Sequence, residues 1–305
     1  MDFYHDKWTE EQLAKLEKKI KKVYQQADRE LQKKANTYFS KFKKRYEQEY
    51  KAFEEGVYTR QEFQMWVKTQ IGRGERWEEL RAIMARRITD ANVTAAAYIN
   101  DTTPQIYSFN YNYEAYLIEG AHPNISFTLF NEQAVRNLMF EEKILPEPSI
   151  NVTKDQRWNE RKIENALMQG ILQGSSIEGI AKTFQTVTQA NWASAVRNAR
   201  TAYTSAQNGG RMRSFESAEA MGIKIKKMWV ATKDARTRES HRDLDGEKRD
   251  IHEPFSNGLM FPGDMNSDEP GELYNCRCTM VSLDAVVSKP HIPYREWEKM
   301  HGYYS

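Results

Sequence analysis

Apolar residues recur at steps of three and four through Leu13, Leu16, Ile20, Val23, Ala27, Leu31, Tyr38, Phe42, Tyr46, Tyr50 and Phe53. That spacing gathers side chains on one face of an α-helix. Lys and Glu fill the other faces, Thr9-Glu10-Glu11-Gln12 has the form of a capping box, and Gly56 is a natural stop. The pattern predicts one long N-terminal helix, roughly 70 Å from end to end at ~1.5 Å per residue. Its apolar stripe requires a partner, from later helices of this chain or from another chain. The aromatic-rich second half lacks the Leu/Ile layers of a dimeric zipper.

Thr59-Arg60-Gln61-Glu62 is a second capping box, opening a helix with Phe63, Trp66, Val67 and Ile71 that Gly72 and Gly74 end. A third helix is expected over residues 75–100. From Pro104 to Gly120 the pattern supports two readings: Tyr107, Phe109, Tyr111 and Tyr113 alternate as a strand does, while residues 114–118 fit a helix. These aromatics read as core in preference to a platform for stacked bases. A helix over 131–140 follows, and then Pro146-Glu147-Pro148 breaks the pattern and marks a domain boundary. Further helices are expected over 154–172, 176–184 and 189–220. Gly222 then releases the chain into a strand over 223–230, and β structure is expected only from there. The fold class is therefore mostly α with a small α+β C-terminal domain. A helical region spans 1–145, a second domain 150–287, and a tail 288–305 carries Pro290, Pro293, Trp297, Tyr303 and Tyr304.

Composition narrows the class. Charged residues make up 29% and hydrophobic ones 39% of 305 residues, and no run approaches the ~18 apolar residues that span a bilayer. The opening MDFYHDKWTEEQ has no basic patch followed by an apolar stretch, so no secretory signal is read. The net charge of +2 does not identify a nucleic-acid partner. The first fifty residues hold thirteen Lys/Arg against nine Asp/Glu, an excess that a solvated helix face accounts for as well as DNA does. Two cysteines make no secreted disulfide framework and fit synthesis in a reducing cytoplasm.

Candidate chemistry gathers near the end of the chain. Asp234, Arg236, Arg238, His241, Asp243 and Asp245 read in two ways. One is a metal-dependent nuclease or other hydrolase centred on His241, with carboxylates orienting the base or holding an ion. The other is a loop-rich fold in which these groups satisfy buried backbone, and the lack of any recognisable nucleophile favours it. Cys276 and Cys278 lie two apart, so on an extended segment both thiols face one side, and His241 or His252 would complete a zinc site. The competing reading is a short strand with buried apolar thiols. A disulfide across two residues would be strained. Gly258, Gly263 and Gly271 show no phosphate-cradling spacing.

The segment from Trp229 to Met280 resembles the C-terminal domain of the phage head-morphogenesis, Mu protein F-like minor head proteins. A block of the form W…D.RTR..H..LDG (Trp229, Asp234, Arg236, Arg238, His241, Asp245, Gly246) is followed by Pro262 and by Asn275-Cys276-Arg277-Cys278. Residues 198–222 resemble the helix that precedes the strand in these proteins, with Arg200-Thr201-Ala202 where many relatives read Arg-Thr-Glu. Some relatives carry Cys-x-x-Cys where this chain has Arg238-Glu239-Ser240-His241, so no cofactor and no zinc requirement are expected. The resemblance implies a non-enzymatic minor capsid protein of a tailed phage, acting with the portal in procapsid assembly and in DNA packaging or ejection. Its implied partners are the portal, with scaffold or major capsid protein and phage DNA as further candidates and no membrane. Its implied location is the procapsid and virion, assembled in the host cytoplasm. Some relatives carry a toxin domain after the Cys-Arg-Cys ending, for which the 27 residues after Cys278 are too few. A DNA-binding module using the basic N-terminal helix remains a further alternative.

Overall fold

The computed structural model describes residues 4–142, 144, 146–267, 269–283 and 290–302. Of the described residues, 68% are helical. Helices α1 (Tyr4–Phe39), α2 (Lys43–Glu54), α3 (Arg60–Ile71), α4 (Glu75–Ala121), α5 (Glu132–Glu142), α6 (Val152–Leu172), α7 (Ile177–Thr183) and α8 (Gln185–Ala220) come first. Strands β1 (Lys226–Val230), β2 (Lys248–Asp250) and β3 (Thr279–Ser282) follow, with short helices α9 (Glu239–Asp243), α10 (Pro270–Leu273) and α11 (Tyr294–Met300) around them. A mostly helical chain with a long N-terminal helix and a small late sheet is thus what the periodicity predicts. Tyr303 and Tyr304 of the expected tail, with Ser288, lie outside the described residues. No helix among the described residues is long and apolar enough to cross a membrane.

Two compact units are present. One comprises residues 18–97 and 149–196, the other residues 1–17, 98–148 and 197–305. One of the crossings between them falls at Pro148, in the Pro-rich break.

In the unit of residues 18–97 and 149–196, Leu31, Phe39, Phe63, Ile71, Trp77, Ile88, Ile163, Leu167 and Phe184 belong to one apolar core. The expected single helix over 9–53 is divided here. Ser40 N bonds Asn36 O, but Phe42 N bonds Phe39 O, an i→i−3 turn tighter than the α-helix. After this turn Tyr46, Tyr50 and Phe53 stack around Phe63 at 5.2–5.7 Å. Helix α3 starts as expected: Thr59 caps Glu62 N while the Glu62 carboxylate accepts from Thr59 N. Polar side chains also enter this unit. Asn92 accepts from Tyr24 and donates to Asp155 and Asn191, all within 2.7 Å.

The apolar stripe of α1 is satisfied within the chain: Leu16, Ile20, Tyr24, Ala27, Leu31, Ala35 and Phe39 are buried. Lys15, Lys18, Lys21 and Lys22 stay in solvent. Thr9 is not a cap. Helix α1 is already formed at Tyr4, and the Thr9 hydroxyl instead donates to His5 O and accepts from Asn110 Nδ2.

In the other unit, the stretch from Pro104 to Gly120 is the second half of α4, and the strand reading is wrong. Ile106, Asn110, Glu114 and Ile118 fall on one buried face with Tyr107, Tyr111 and Ala115, the 3–4 spacing of a helix. Two buried polar residues in that stripe hid its period. Pro104 removes a helical donor. The Thr102 and Thr103 hydroxyls donate to carbonyls of the preceding turn, at Tyr98 and Ile99. The sheet order is β2-β1-β3, both pairs antiparallel, with Lys227 opposite Arg249 and Ser282. Alternation along β1 sends Lys227 inward beside Trp229. The Lys227 ammonium donates to Ile251 O and Met260 O, over the Phe255 ring, and burial pulls its pKa down to about 8.

Candidate functional site

Along α8, Thr201, Thr204, Asn208 and Arg211 recur at steps of three and four, so they form one polar stripe. That stripe holds the backbone of residues 275–280. Thr201 Oγ1 accepts from Asn275 N (2.9 Å) and Thr204 Oγ1 donates to Cys276 O (2.7 Å). Asn208 donates to Cys278 O and Pro262 O and accepts from Met280 N, while Arg211 donates to Met280 O. Residues 275–278 have no sheet partner, so their buried polar groups need side chains instead. Asn275 itself adopts φ +59°, a conformation that Asn tolerates better than most residues.

The residues after β1 lock two loops together. Trp229 is wholly buried. Gly246, at φ +84°, donates to Trp229 O, and Asp245 accepts from Ala231 N. Asp234 accepts two bonds from the Arg277 guanidinium (2.5 and 2.6 Å) and one from Arg236 N. The Arg236 side chain is mostly in solvent, and Arg238 donates to Tyr274 O. Arg277 beside it, then the Arg236 amide, hold the Asp234 carboxyl well below the usual carboxylate range despite some desolvation.

A depressed folded pKa means that Asp234 stabilises the fold above its unfolded value of about 4 and loses that contribution as pH falls. Asp234→Asn should therefore melt below the wild type at pH 7, by a modest margin because solvent reaches the carboxylate. The gap should narrow between pH 4 and pH 3. Thermal melts across this range check it, and a constant gap would remove Asp234 from the account.

The structure brings His241, Cys276 and Cys278 together. His241 Nδ1 stands 3.4 Å from each sulfur, and the three donor atoms lie within 4.8 Å of one another. Glu272 Oε2 is 2.8 Å from His241 Nε2, within ion-pairing distance though the angle makes no hydrogen bond. Trp229 meets the imidazole edge-on, and Leu244, Phe255 and Leu273 share the same core. Pairing of the two thiols, helped by His241, draws the Cys278 thiol down, and the same pairing with burial pushes Cys276 up. His252 stays apart, exposed and paired with Glu219. His241 is 1% exposed and the two cysteines 2% each. All three side chains therefore belong to the interior of the folded chain.

A second polar constellation was not read from the sequence. The fully buried Arg211 side chain bonds Thr279, Met280 O, Asp6 (2.5 Å) and Asn110. Glu114 accepts from Ser282 Oγ and lies 3.4 Å from His5 Nε2. Burial would raise both carboxyls. Arg211 and His5 overcome it at Asp6, and His5 with Arg211 does so at Glu114, so both lie below their ordinary values. His5 is itself lowered, by burial and then by Arg211. The signal available was Asn110 and Glu114, spaced four apart on an aromatic stripe, with an Arg inside an Ala- and Gly-rich helix.

Residues 161–281 match the family model described as Phage Mu protein F like protein. Over 96% of its length the chain is 26% identical to minor head protein GP7 of Bacillus phage SPP1, of which it covers 95%. It is 34% identical over 124 residues to the NAD(+)--arginine ADP-ribosyltransferase EFV of Enterococcus faecalis, and 30% identical over 149 residues to an uncharacterized protein of Haemophilus influenzae. It spans only 26% and 30% of those two proteins' lengths. No solved structure matches. The resemblance carried by the Trp229–Cys278 motifs is thus shown by the family model and by a near full-length relative.

Proposed function

We propose that this chain is a minor head protein of a tailed bacteriophage, carried into the procapsid through association with the portal. The observation that carries this reading is the likeness to a minor head protein along nearly the whole of both chains. The site supports a structural role. Asp234, Arg238, Asp245 and Arg277 spend their polar groups on neighbouring loops, and His241 is buried with its ring edge-on to Trp229. The match to the ADP-ribosyltransferase covers about a quarter of that protein, too little to bring its activity here. Assembly takes place in the host cytoplasm, the protein resides in the virion, and it contributes to DNA packaging or ejection from beside the portal.

Co-expression with the portal protein encoded in the same genome tests the reading. The full chain should co-sediment with portal oligomers and be present at a few copies in purified procapsids. Absence from both portal complexes and procapsids would refute it. Divalent-metal-dependent DNA cleavage, lost in His241→Ala while the fold is kept, would replace it with a nuclease.

A further inference from the structure

The donors around His241 stand at ligand spacing. With zinc–sulfur bonds of about 2.3 Å and zinc–nitrogen bonds of about 2.0–2.1 Å, a tetrahedral ion holds its nitrogen and sulfur ligands about 3.5 Å apart. His241 Nδ1 is 3.4 Å from both Cys276 Sγ and Cys278 Sγ. Cys276 Sγ accepts from Cys278 N at 3.4 Å, so the backbone already places a donor on one of the sulfurs. The far side of the imidazole faces the Glu272 carboxylate at 2.8 Å, the position in which ligating histidines commonly have an outer partner.

We propose that His241, Cys276 and Cys278 bind one zinc ion, which ties α9 to the segment before β3. Two soft sulfurs and an imidazole select zinc over magnesium, calcium or manganese. On binding, each thiol gives its proton to solvent and forms a sulfur–zinc bond, with no change of oxidation state. Two thiolates balance the dication, so the filled site is neutral and suits a core of Trp229, Leu244, Phe255 and Leu273. Among the described residues no further His, Cys, Asp or Glu joins the cluster. The ion's role is structural, because the ligands are buried on every side by their own chain.

Metal content of the full-length chain, expressed with added zinc and dialysed against a weak chelator, tests the site. Close to one zinc per chain is expected, falling at least tenfold in Cys276→Ser and Cys278→Ser. Glu272→Gln should keep the metal with affinity weakened ~10–100-fold, the usual loss when a ligand's outer partner is removed. Because the serine variants risk misfolding, cobalt added to metal-stripped, folded wild type gives a second reading. Intense visible bands of tetrahedral cobalt with near-ultraviolet thiolate charge transfer are expected. Zinc below a tenth of an equivalent together with a featureless cobalt titration would overturn the proposal, as would stoichiometric copper in place of zinc.

Discussion

Arg211→Met should lower the stability of the full chain by about 3–5 kcal/mol, the range for removing one partner of a buried ion pair. The side chain is 0% exposed and faces Asp6, Asn110, Thr279 and Met280 O at once. Methionine fills much of the volume but takes the ion-pair partner from Asp6 and weakens the positive field at Glu114, where His5 remains. The loss is therefore electrostatic more than steric, and that has its own signature. Without Arg211 the two carboxyls become easier to protonate, so mild acid should recover part of the deficit by neutralising them. Urea unfolding at pH 7 and pH 5 measures both effects. A loss below about 1 kcal/mol, or one unchanged by pH, would show that the network does not hold this unit together.

Gly210→Ala should cost about 3 kcal/mol, at the upper end of overpacking penalties. In a solvated helix the same change would stabilise by roughly 1 kcal/mol, so the sign is diagnostic. A methyl group at Gly210 would collide with Tyr107 O of α4 and stand 3.1 Å from Tyr111 N, and backbone cannot step aside as a side chain can. Gly209 is the control. Its added methyl would meet side chains alone, the edge of the Tyr107 ring at 3.3 Å and Phe261 at 3.9 Å, so Gly209→Ala should cost distinctly less. Equal melting temperatures for the two variants would mean that α4 and α8 do not approach so closely.

These two sites mark where the sequence was legible and where it was not. The Thr59–Glu62 box was readable because both partners lie within one turn. Leu16, Ile20, Ala27 and Leu31 of the α1 stripe were readable because each is apolar, whereas Tyr24, Ala35 and Phe39 complete the buried face where Val23 and Tyr38 were expected. The same rule failed between Ile106 and Ile118, where Asn110 and Glu114 sit on the buried face and the alternation of Tyr107, Phe109, Tyr111 and Tyr113 imitates a strand. On β1 it would put Met228 and Val230 inside, whereas Lys227 and Trp229 are. Of the site, the motif residues were legible one by one. That His241 joins Cys276 and Cys278 while His252 does not depends on where α9 meets a segment 35 residues later. The Gly209-Gly210 pair was present to be read, since two glycines inside a helix imply a close neighbour.

The order in which the two units use the chain sets a timetable for synthesis. Residues 18–196 contain every segment of one unit, so its core can close as soon as Val196 clears the ribosome. Asp6 must wait for Arg211, 205 residues later, and then for Thr279. At about 5–20 residues per second the first delay alone is on the order of 10–40 s. Throughout it the first turns of the nascent protein carry a carboxylate and an imidazole without their partners. A helper that shields an emerging N-terminus would act in that interval, and a bulky fusion placed there would compete with the last step of folding.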